Sequence, residues 1–123
     1  MKGVAFWFLL MGVLYVIIGM CYGIWMSIQQ DFTTAPAHAH LNLIGFVLGS
    51  VFAYYYHLFP NAGAKIRWAH FWIHQGAVVL MFPGIIIAIT SGDETLVKIG
   101  SLLALASAVI FAYVHVTASR SAA

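Results

Sequence analysis

Four long apolar stretches, separated by short polar breaks, dominate the chain. They cover residues 4–26, 36–58, 68–90 and 96–118. A helix needs about 20 apolar residues to cross the hydrocarbon core of a membrane, so each stretch predicts a transmembrane helix. The breaks are too short to hold another domain, and consecutive helices must therefore be antiparallel neighbours. The pattern predicts an all-α membrane protein in which residues 1–123 form a single four-helix transmembrane domain.

The composition supports a lipid environment for these helices. Hydrophobic residues make up 63% of the sequence and charged residues only 7%, whereas a water-soluble domain carries roughly a quarter charged residues. So few charges cannot cover a globular surface. The net charge of +2 gives no indication of a nucleic-acid partner. Cys21 is the one cysteine, so the chain cannot form an internal disulfide.

The placement of the basic residues predicts the orientation. Lys2, Lys65, Arg67 and Arg120 fall on one side of the predicted membrane, while the three acidic residues fall on the other, where Lys98 is the only basic residue. Cytoplasmic loops of membrane proteins carry an excess of Lys and Arg. We therefore expect a multi-pass protein of the bacterial inner membrane with both termini in the cytoplasm.

The six histidines fall at two depths of the predicted bundle. An outer pair, near the beginning of the second helix, consists of His38 and His40. An inner group consists of His57, His70, His74 and His115. Along the second helix, His57 lies roughly 25 Å from His40 at 1.5 Å per residue. The six histidines cannot all belong to one site.

The spacing within each group limits the chemistry that it can support. His38 and His40 point about 200° apart on a helix, so they cannot bind one metal ion from within one chain. Each can serve a different site, or the two can make independent polar contacts. His70 and His74 share one helix face and could hold a metal ion, or they could be a hydrogen-bonded pair lining a polar groove. For His57 and His115, the sequence alone indicates snorkelling or hydrogen-bonded side chains.

Two segments resemble the catalytic subunit of heme-copper oxidases. The sequence Ala37-His38-Ala39-His40, followed by Tyr56-His57-Leu58-Phe59-Pro60, resembles the tenth helix of that subunit, which begins with an Ala/Gly-His-x-His pair and ends with a Tyr-Tyr-x-x-Pro type sequence. The segments Ala64-Lys65-Ile66, His70-Phe71-Trp72 and Phe82-Pro83 are similar to its eleventh helix. The resemblance covers roughly residues 35–85.

The resemblance implies that the outer histidines bind heme. In the family, the first histidine of the pair ligates the high-spin heme and the second ligates the low-spin heme, so His38 and His40 would be heme iron ligands. The family places these ligands on the outer side of the membrane, in agreement with the orientation derived from charge. The further histidines of the copper site, including a His-Pro-x-x-Tyr type sequence, have no counterpart here. No complete heme-copper active site is therefore predicted, and enzymatic activity stays open.

The resemblance also implies an assembly. The oxidase subunit has twelve helices in three similar four-helix arcs, and this chain has the helices of one arc. A cyclic homotrimer would reproduce the larger fold, with His38 of one subunit facing His40 of the next across a heme. Two imidazole ligands saturate the iron and favour electron transfer.

The leading hypothesis is a heme b-binding membrane protein with a role in electron transfer or in heme-based sensing or accessory functions of respiration. We expect its partners to be membrane lipid, other copies of itself and a redox partner or quinol. The first alternative is a membrane protein that binds or transports copper or zinc through the inner histidines, since imidazole suits both metals. The second alternative is a structural or assembly subunit without a cofactor.

Overall fold

The computed structural model describes residues 1–122 and confirms the predicted all-α membrane architecture. Four helices are long and apolar enough to cross a membrane, and no strand occurs among the described residues. We number them α1 (Gly3–Gln29), α2 (Ala35–Leu58), α3 (Ala64–Ser91) and α4 (Thr95–Ala122).

The helix ends differ from the predicted ends mainly at α3. This helix begins at Ala64, earlier than the predicted residue 68, so Lys65 and Arg67 belong to its first turns. Both are good helix formers, and their long side chains can reach the membrane surface from inside a helix. The loop between α2 and α3 is correspondingly short. At the other end, α3 stops where Gly92 adopts a left-handed conformation with φ of 80°.

Small residues bring α1 and α2 close together. A Cβ atom at Gly45 would lie 2.9 Å from Cβ of Tyr15, and one at Gly12 would lie 3.3 Å from the carbonyl oxygen of Gly45. A Cβ atom at Gly19 would overlap the Asn42 side chain. Helices in lipid pack through small residues because the apolar tails give no hydrophobic drive for association. The glycines of this interface therefore set the distance between the first two helices.

The middle of α2 is a π-helical segment, Leu41–Leu48, between α-helical segments Ala35–His40 and Gly49–Leu58. A π-helix bonds residue i to i+5, is rare, and is found most often as a single wide turn near functional sites. This segment begins directly after His40. The hydrophobic pattern of the sequence gives no sign of it, because a short change of helical pitch leaves the run of apolar residues unbroken.

A buried aromatic cluster joins the helices at the end of the bundle where α2 meets α3. The ring of Phe8 from α1 packs against Phe52 and Tyr56 from α2 and against Phe71 from α3, and Val114 of α4 completes the cluster. These side chains are no more than 4% exposed. The cluster holds all four helices around one region of the interior.

The loops at the opposite end carry all three acidic residues. Asp31 accepts hydrogen bonds from the side chain and backbone of Thr33, which lower the pKa of its carboxyl below the ordinary value. Asp93 is held by Thr95 in the same way, and its pKa is lowered for the same reason. Lys98 Nζ lies 3.0 Å from a carboxylate oxygen of Glu94. The single basic residue at this end is thus paired with an acid.

Candidate functional site

His38 lies between α1 and α2 and faces into its own chain. Its Nδ1 is 2.6 Å from the carbonyl oxygen of Gly19, and its Nε2 is 3.5 Å from the amide nitrogen of Asn42. A carbonyl only accepts hydrogen bonds, so Nδ1 carries the proton and Nε2 accepts from Asn42. Gly23 makes room for the ring, since a Cβ atom there would lie 2.8 Å from its Cε1. Both ring nitrogens of His38 are engaged within the subunit.

His40 has a different environment, because its ring is exposed on the outside of α2. Its Nδ1 is 2.7 Å from the carbonyl oxygen of Pro36, one turn earlier in the same helix. This bond places the proton on Nδ1 and leaves the lone pair on Nε2, for which no described residue provides a hydrogen-bond partner. Histidines that ligate metals commonly donate their other ring N–H in this manner. The imidazole of His40 is therefore held with a ligating nitrogen free.

The structure does not bring His38 and His40 together within one chain. One ring packs against α1 and the other is exposed, so they lie on different sides of α2. Among the described residues, no three or more His, Cys, Asp or Glu side chains form a group that could hold a metal ion. His38 and His40 therefore cannot ligate one metal ion from within a single chain.

A second candidate site is a buried row of hydrogen-bonded side chains, which we call the polar row. It consists of Tyr56, His70, Ser107 and His74, contributed by α2, α3, α4 and α3. The hydroxyl of Tyr56 lies 2.8 Å from Nδ1 of His70, and Nε2 of His70 lies 2.9 Å from Oγ of Ser107. That same Oγ lies 3.2 Å from Nδ1 of His74. The row thus links three helices by three hydrogen bonds.

The polar row is enclosed by aromatic rings. Its four side chains are at most 2% exposed. The ring centroid of Phe8 lies 5.2 Å from that of His70 and 5.7 Å from that of His74. The ring centroid of Phe52 lies 4.5 Å from that of His70 and 5.1 Å from that of His74. Polar groups inside a membrane protein are costly unless they are satisfied. The hydrogen bonds along the row satisfy most of them.

The geometry of His70 and His74 bears on the two interpretations that the sequence left open. The nitrogens that face each other, Nε2 of His70 and Nδ1 of His74, both contact the hydroxyl of Ser107. This is the hydrogen-bonded arrangement. A metal ion held by those two nitrogens would have to take the place of the Ser107 hydroxyl, and the metal interpretation stays a prediction.

The two ends of the polar row have different surroundings. At one end, Tyr56 borders an open cavity of about 420 Å³, which we call the polar cavity and which is lined by Met1, Lys2, Gly3, Tyr56, His57, Pro60 and Arg67. At the other end, Nε2 of His74 is buried beside Gly49, and the imidazole interacts with the backbone of Ile44 in the π-helical segment.

The other inner histidines do not join this row. His57 is exposed at the polar cavity. His115 is also exposed, and its Nδ1 lies 3.2 Å from the hydroxyl of Tyr55. The inner group of four histidines therefore divides into one buried pair and two separate surface contacts.

Sequence reasoning missed the members of the row that are not histidines. Tyr56 belongs to a run of three tyrosines, a pattern typical of anchors at the membrane surface, but it is buried. Ser107 was not singled out, although a polar side chain near the middle of a predicted span is itself a signal of an internal contact. Gln75 gives the same signal, and its side-chain oxygen accepts a 2.5 Å hydrogen bond from the hydroxyl of Tyr15.

Comparison of the chain with protein-family models, with curated proteins and with solved structures gave no match. The resemblance to heme-copper oxidases therefore depends on the histidine pair and the motifs around it. Any function must be argued from the two candidate sites themselves.

Proposed function

We propose that this protein binds heme b in the membrane, with His38 and His40 as iron ligands, and that it acts in electron transfer or in a sensing or accessory role in respiration. The observation that supports this most directly is the state of His40. Its ring is exposed, its Nδ1 is bonded to the Pro36 carbonyl, and its Nε2 is free. An axial heme ligand requires this tautomer.

The fit of His38 to heme is more demanding. Its Nε2 is also the nitrogen with the lone pair, but it accepts a hydrogen bond from Asn42. Ligation of iron by His38 would replace that bond, and the side chain of Asn42 would have to rotate away. The Oδ1 atom of Asn42 is buried without a hydrogen-bond partner, so the present position of this side chain is not strongly held. We therefore expect His40 to be the stronger ligand.

Both ligands can reach one iron only if two copies of the chain take part. The exposed face of α2 around His40 includes Ala39, Leu43 and Val47. A small residue such as Ala39 lets a flat macrocycle or a neighbouring helix approach closely. A cyclic homotrimer would give every copy the same environment. A bound heme with two imidazole ligands would supply one-electron redox chemistry.

The orientation belongs to the same proposal. The polar cavity collects Lys2 and Arg67 at one end of the bundle, while the one basic residue at the other end, Lys98, is paired with Glu94. By the positive-inside rule, the end with the polar cavity faces the cytoplasm of a bacterial inner membrane. His38 and His40 then lie near the outer surface.

The test is the visible spectrum of the purified protein and of two matched variants. Wild type should show a Soret band and sharp reduced α and β bands of low-spin heme. His40→Ala should lose these low-spin bands or lose the heme, since the free imidazole nitrogen is gone. His57→Ala removes an exposed histidine at the opposite end of α2 and should leave the spectrum unchanged.

Two further results separate the parts of the proposal. If His38 of one copy and His40 of the next share an iron, His38→Ala should damage the spectrum as well, and co-expression of the two single variants should restore a fraction of the sites. Full heme content in the His40→Ala variant, or a colourless wild-type protein, would contradict heme ligation by His40.

A further inference from the structure

The polar cavity is lined by basic residues, and no acid is among the residues that line it. Lys2, His57 and Arg67 border it, while the three acidic residues of the chain all lie in the loops at the opposite end of the bundle. The Nε atom of Arg67 is buried, yet no described residue gives it a hydrogen-bond partner. Nearly all buried polar groups have a partner, and an exception requires an explanation. The cavity therefore combines positive charge with a free donor, which is complementary to an anion.

An apolar groove lies between α1 and α3 on the membrane-facing surface of the bundle. Its volume is about 450 Å³. The residues that line it, which together define the apolar groove, are Trp7, Met11, Tyr15, Trp68, Phe71, Trp72, Gln75 and Val79. Three of them are tryptophans, whose rings are typical of the boundary between lipid and water.

The spacing of the lining residues shows that the cavity and the groove form one continuous seam. On each helix, one residue of the cavity is followed by three residues of the groove at intervals of four: Gly3, Trp7, Met11 and Tyr15 on α1, and Arg67, Phe71, Gln75 and Val79 on α3. Residues four apart lie one above the other on the same helix face. The groove therefore begins directly below the cavity and runs into the membrane.

The seam has a closed floor and an open rim. Phe71 and Tyr15 are buried at its floor, where the hydroxyl of Tyr15 donates a hydrogen bond to the side-chain oxygen of Gln75. Trp7 and Trp72 are 45% and 67% exposed and form its rim. Because the polar atoms at the floor are bonded to each other, the groove offers an occupant an apolar surface that is open to the bilayer.

We propose that the polar cavity and the apolar groove together bind one anionic phospholipid, with its phosphate group in the cavity and an acyl chain in the groove. The guanidinium of Arg67 presents its N–H groups in a planar fork that fits the oxygens of a phosphate, and Lys2 adds a second positive charge. Basic pockets between transmembrane helices on the cytoplasmic side are suited to anionic lipid headgroups. With the orientation proposed above, this lipid belongs to the inner leaflet.

The length of the seam favours a lipid over a helix of a second copy. The distance from Arg67 to Val79 is roughly 18 Å at 1.5 Å per residue, whereas the hydrocarbon core is about 30 Å thick. The seam thus matches one leaflet, which is the reach of an acyl chain below its phosphate. A helix of another subunit would cross both leaflets. This inference goes beyond heme binding and does not depend on it, because neither His38 nor His40 takes part.

The experiment uses the tryptophans of the groove as reporters. The chain has four tryptophans, and only Trp25 lies outside the groove, near the other end of α1. The full-length protein with Trp25→Phe is placed in vesicles of phosphatidylglycerol and phosphatidylcholine in equal amounts. Bromine atoms on an acyl chain quench a tryptophan that they contact, and they are placed either on the anionic lipid or on the zwitterionic one.

Brominated phosphatidylglycerol should quench the fluorescence more strongly than brominated phosphatidylcholine. We expect the association constants of the two lipids to differ by at least about fivefold, since each basic residue near the surface favours an anionic lipid. Arg67→Gln should reduce this ratio to about twofold or less. Lys65→Gln is the matched control, because it removes the same charge from the same turn of α3 but does not line the cavity; the ratio should stay above about fourfold.

A second comparison separates the phosphate of a lipid from free phosphate. The measurement is repeated with sodium phosphate in the buffer and, as the control, with sodium chloride at the same ionic strength. The preference for phosphatidylglycerol should be the same in both, because only a lipid also has a chain for the groove. A preference that phosphate removes and chloride does not would show that the cavity holds free phosphate, and it would overturn the lipid as the occupant.

Three other results would also overturn the proposal. Equal quenching by the two brominated lipids would do so without any further variant, which matters if Arg67→Gln fails to fold. Equal effects of Arg67→Gln and Lys65→Gln would mean that the preference comes from diffuse surface charge. Fluorescence that neither lipid quenches would show that another protein chain covers the groove.

Discussion

Replacement of Ser107 by alanine should destabilise the bundle measurably without unfolding it. The substitution removes one hydroxyl and two interhelical hydrogen bonds, those to Nε2 of His70 at 2.9 Å and to Nδ1 of His74 at 3.2 Å. Single interhelical hydrogen bonds in membrane proteins contribute about 0.6 kcal/mol on average and about 1.7 kcal/mol at most. Two such bonds give an expected loss of about 1–3 kcal/mol.

The expected loss is smaller than the total stability of a typical domain, about 5–15 kcal/mol, so the variant should still fold. The measurement is the free energy of unfolding of the purified protein in mixed micelles, followed by circular dichroism as the fraction of denaturing detergent rises. Ser101→Ala is the matched control in the same helix. Its hydroxyl is exposed and donates only to the Val97 carbonyl one turn earlier, so its removal should cost less than about 0.5 kcal/mol.

The reasoning would be refuted if Ser107→Ala and Ser101→Ala changed the free energy of unfolding equally. That result would mean that the two histidine rings find other partners, or that the hydroxyl contributes no net stability inside the bundle. A loss much larger than about 3 kcal/mol would show that removal of the hydroxyl disrupts the packing of the helices around the row.

Two other predictions concern packing and orientation. Gly84→Ala should destabilise the α3–α4 pair by about 1–3 kcal/mol in the same unfolding assay, because the new Cβ would lie 2.6 Å from the backbone nitrogen of Val97; Gly76→Ala, with an ordinary contact of 3.4 Å, should not. Reporter fusions near Lys65 and at the C-terminus should be active in the cytoplasm, and one near Asp93 should be active outside. An external C-terminus would contradict the orientation.

The sequence was sufficient to predict the four helices, because the thickness of the membrane fixes the length of an apolar stretch that crosses it. Each predicted span overlaps an observed helix closely, and the main difference, at the beginning of α3, involves Lys65 and Arg67. Charged residues lower the hydropathy of a segment without preventing it from being helical. Hydropathy therefore marks the part of a helix that lies in lipid and misses turns that reach into the interface.

The candidate sites could be predicted only in part, because periodicity gives the direction of a side chain but not its partner. The spacing of His38 and His40 correctly predicted that the two rings point to different sides of the helix. Only the structure shows that Asn42 and the Gly19 carbonyl form hydrogen bonds with the ring of His38. Similarly, the spacing of His70 and His74 placed them on one face. Their link to Ser107 depends on the register of α3 against α4, which the sequence pattern does not encode.

The two candidate sites are held in different ways, although α2 contributes to both. The bond that orients His40 lies entirely within the first turns of α2, whereas the polar row depends on packing among α2, α3 and α4 near the opposite end. The π-helical segment Leu41–Leu48 adjoins both, since it follows His40 directly and the backbone of its Ile44 interacts with His74. A π turn spans one more residue than an α turn, so a change between the two would rotate His40 about the helix axis relative to His74.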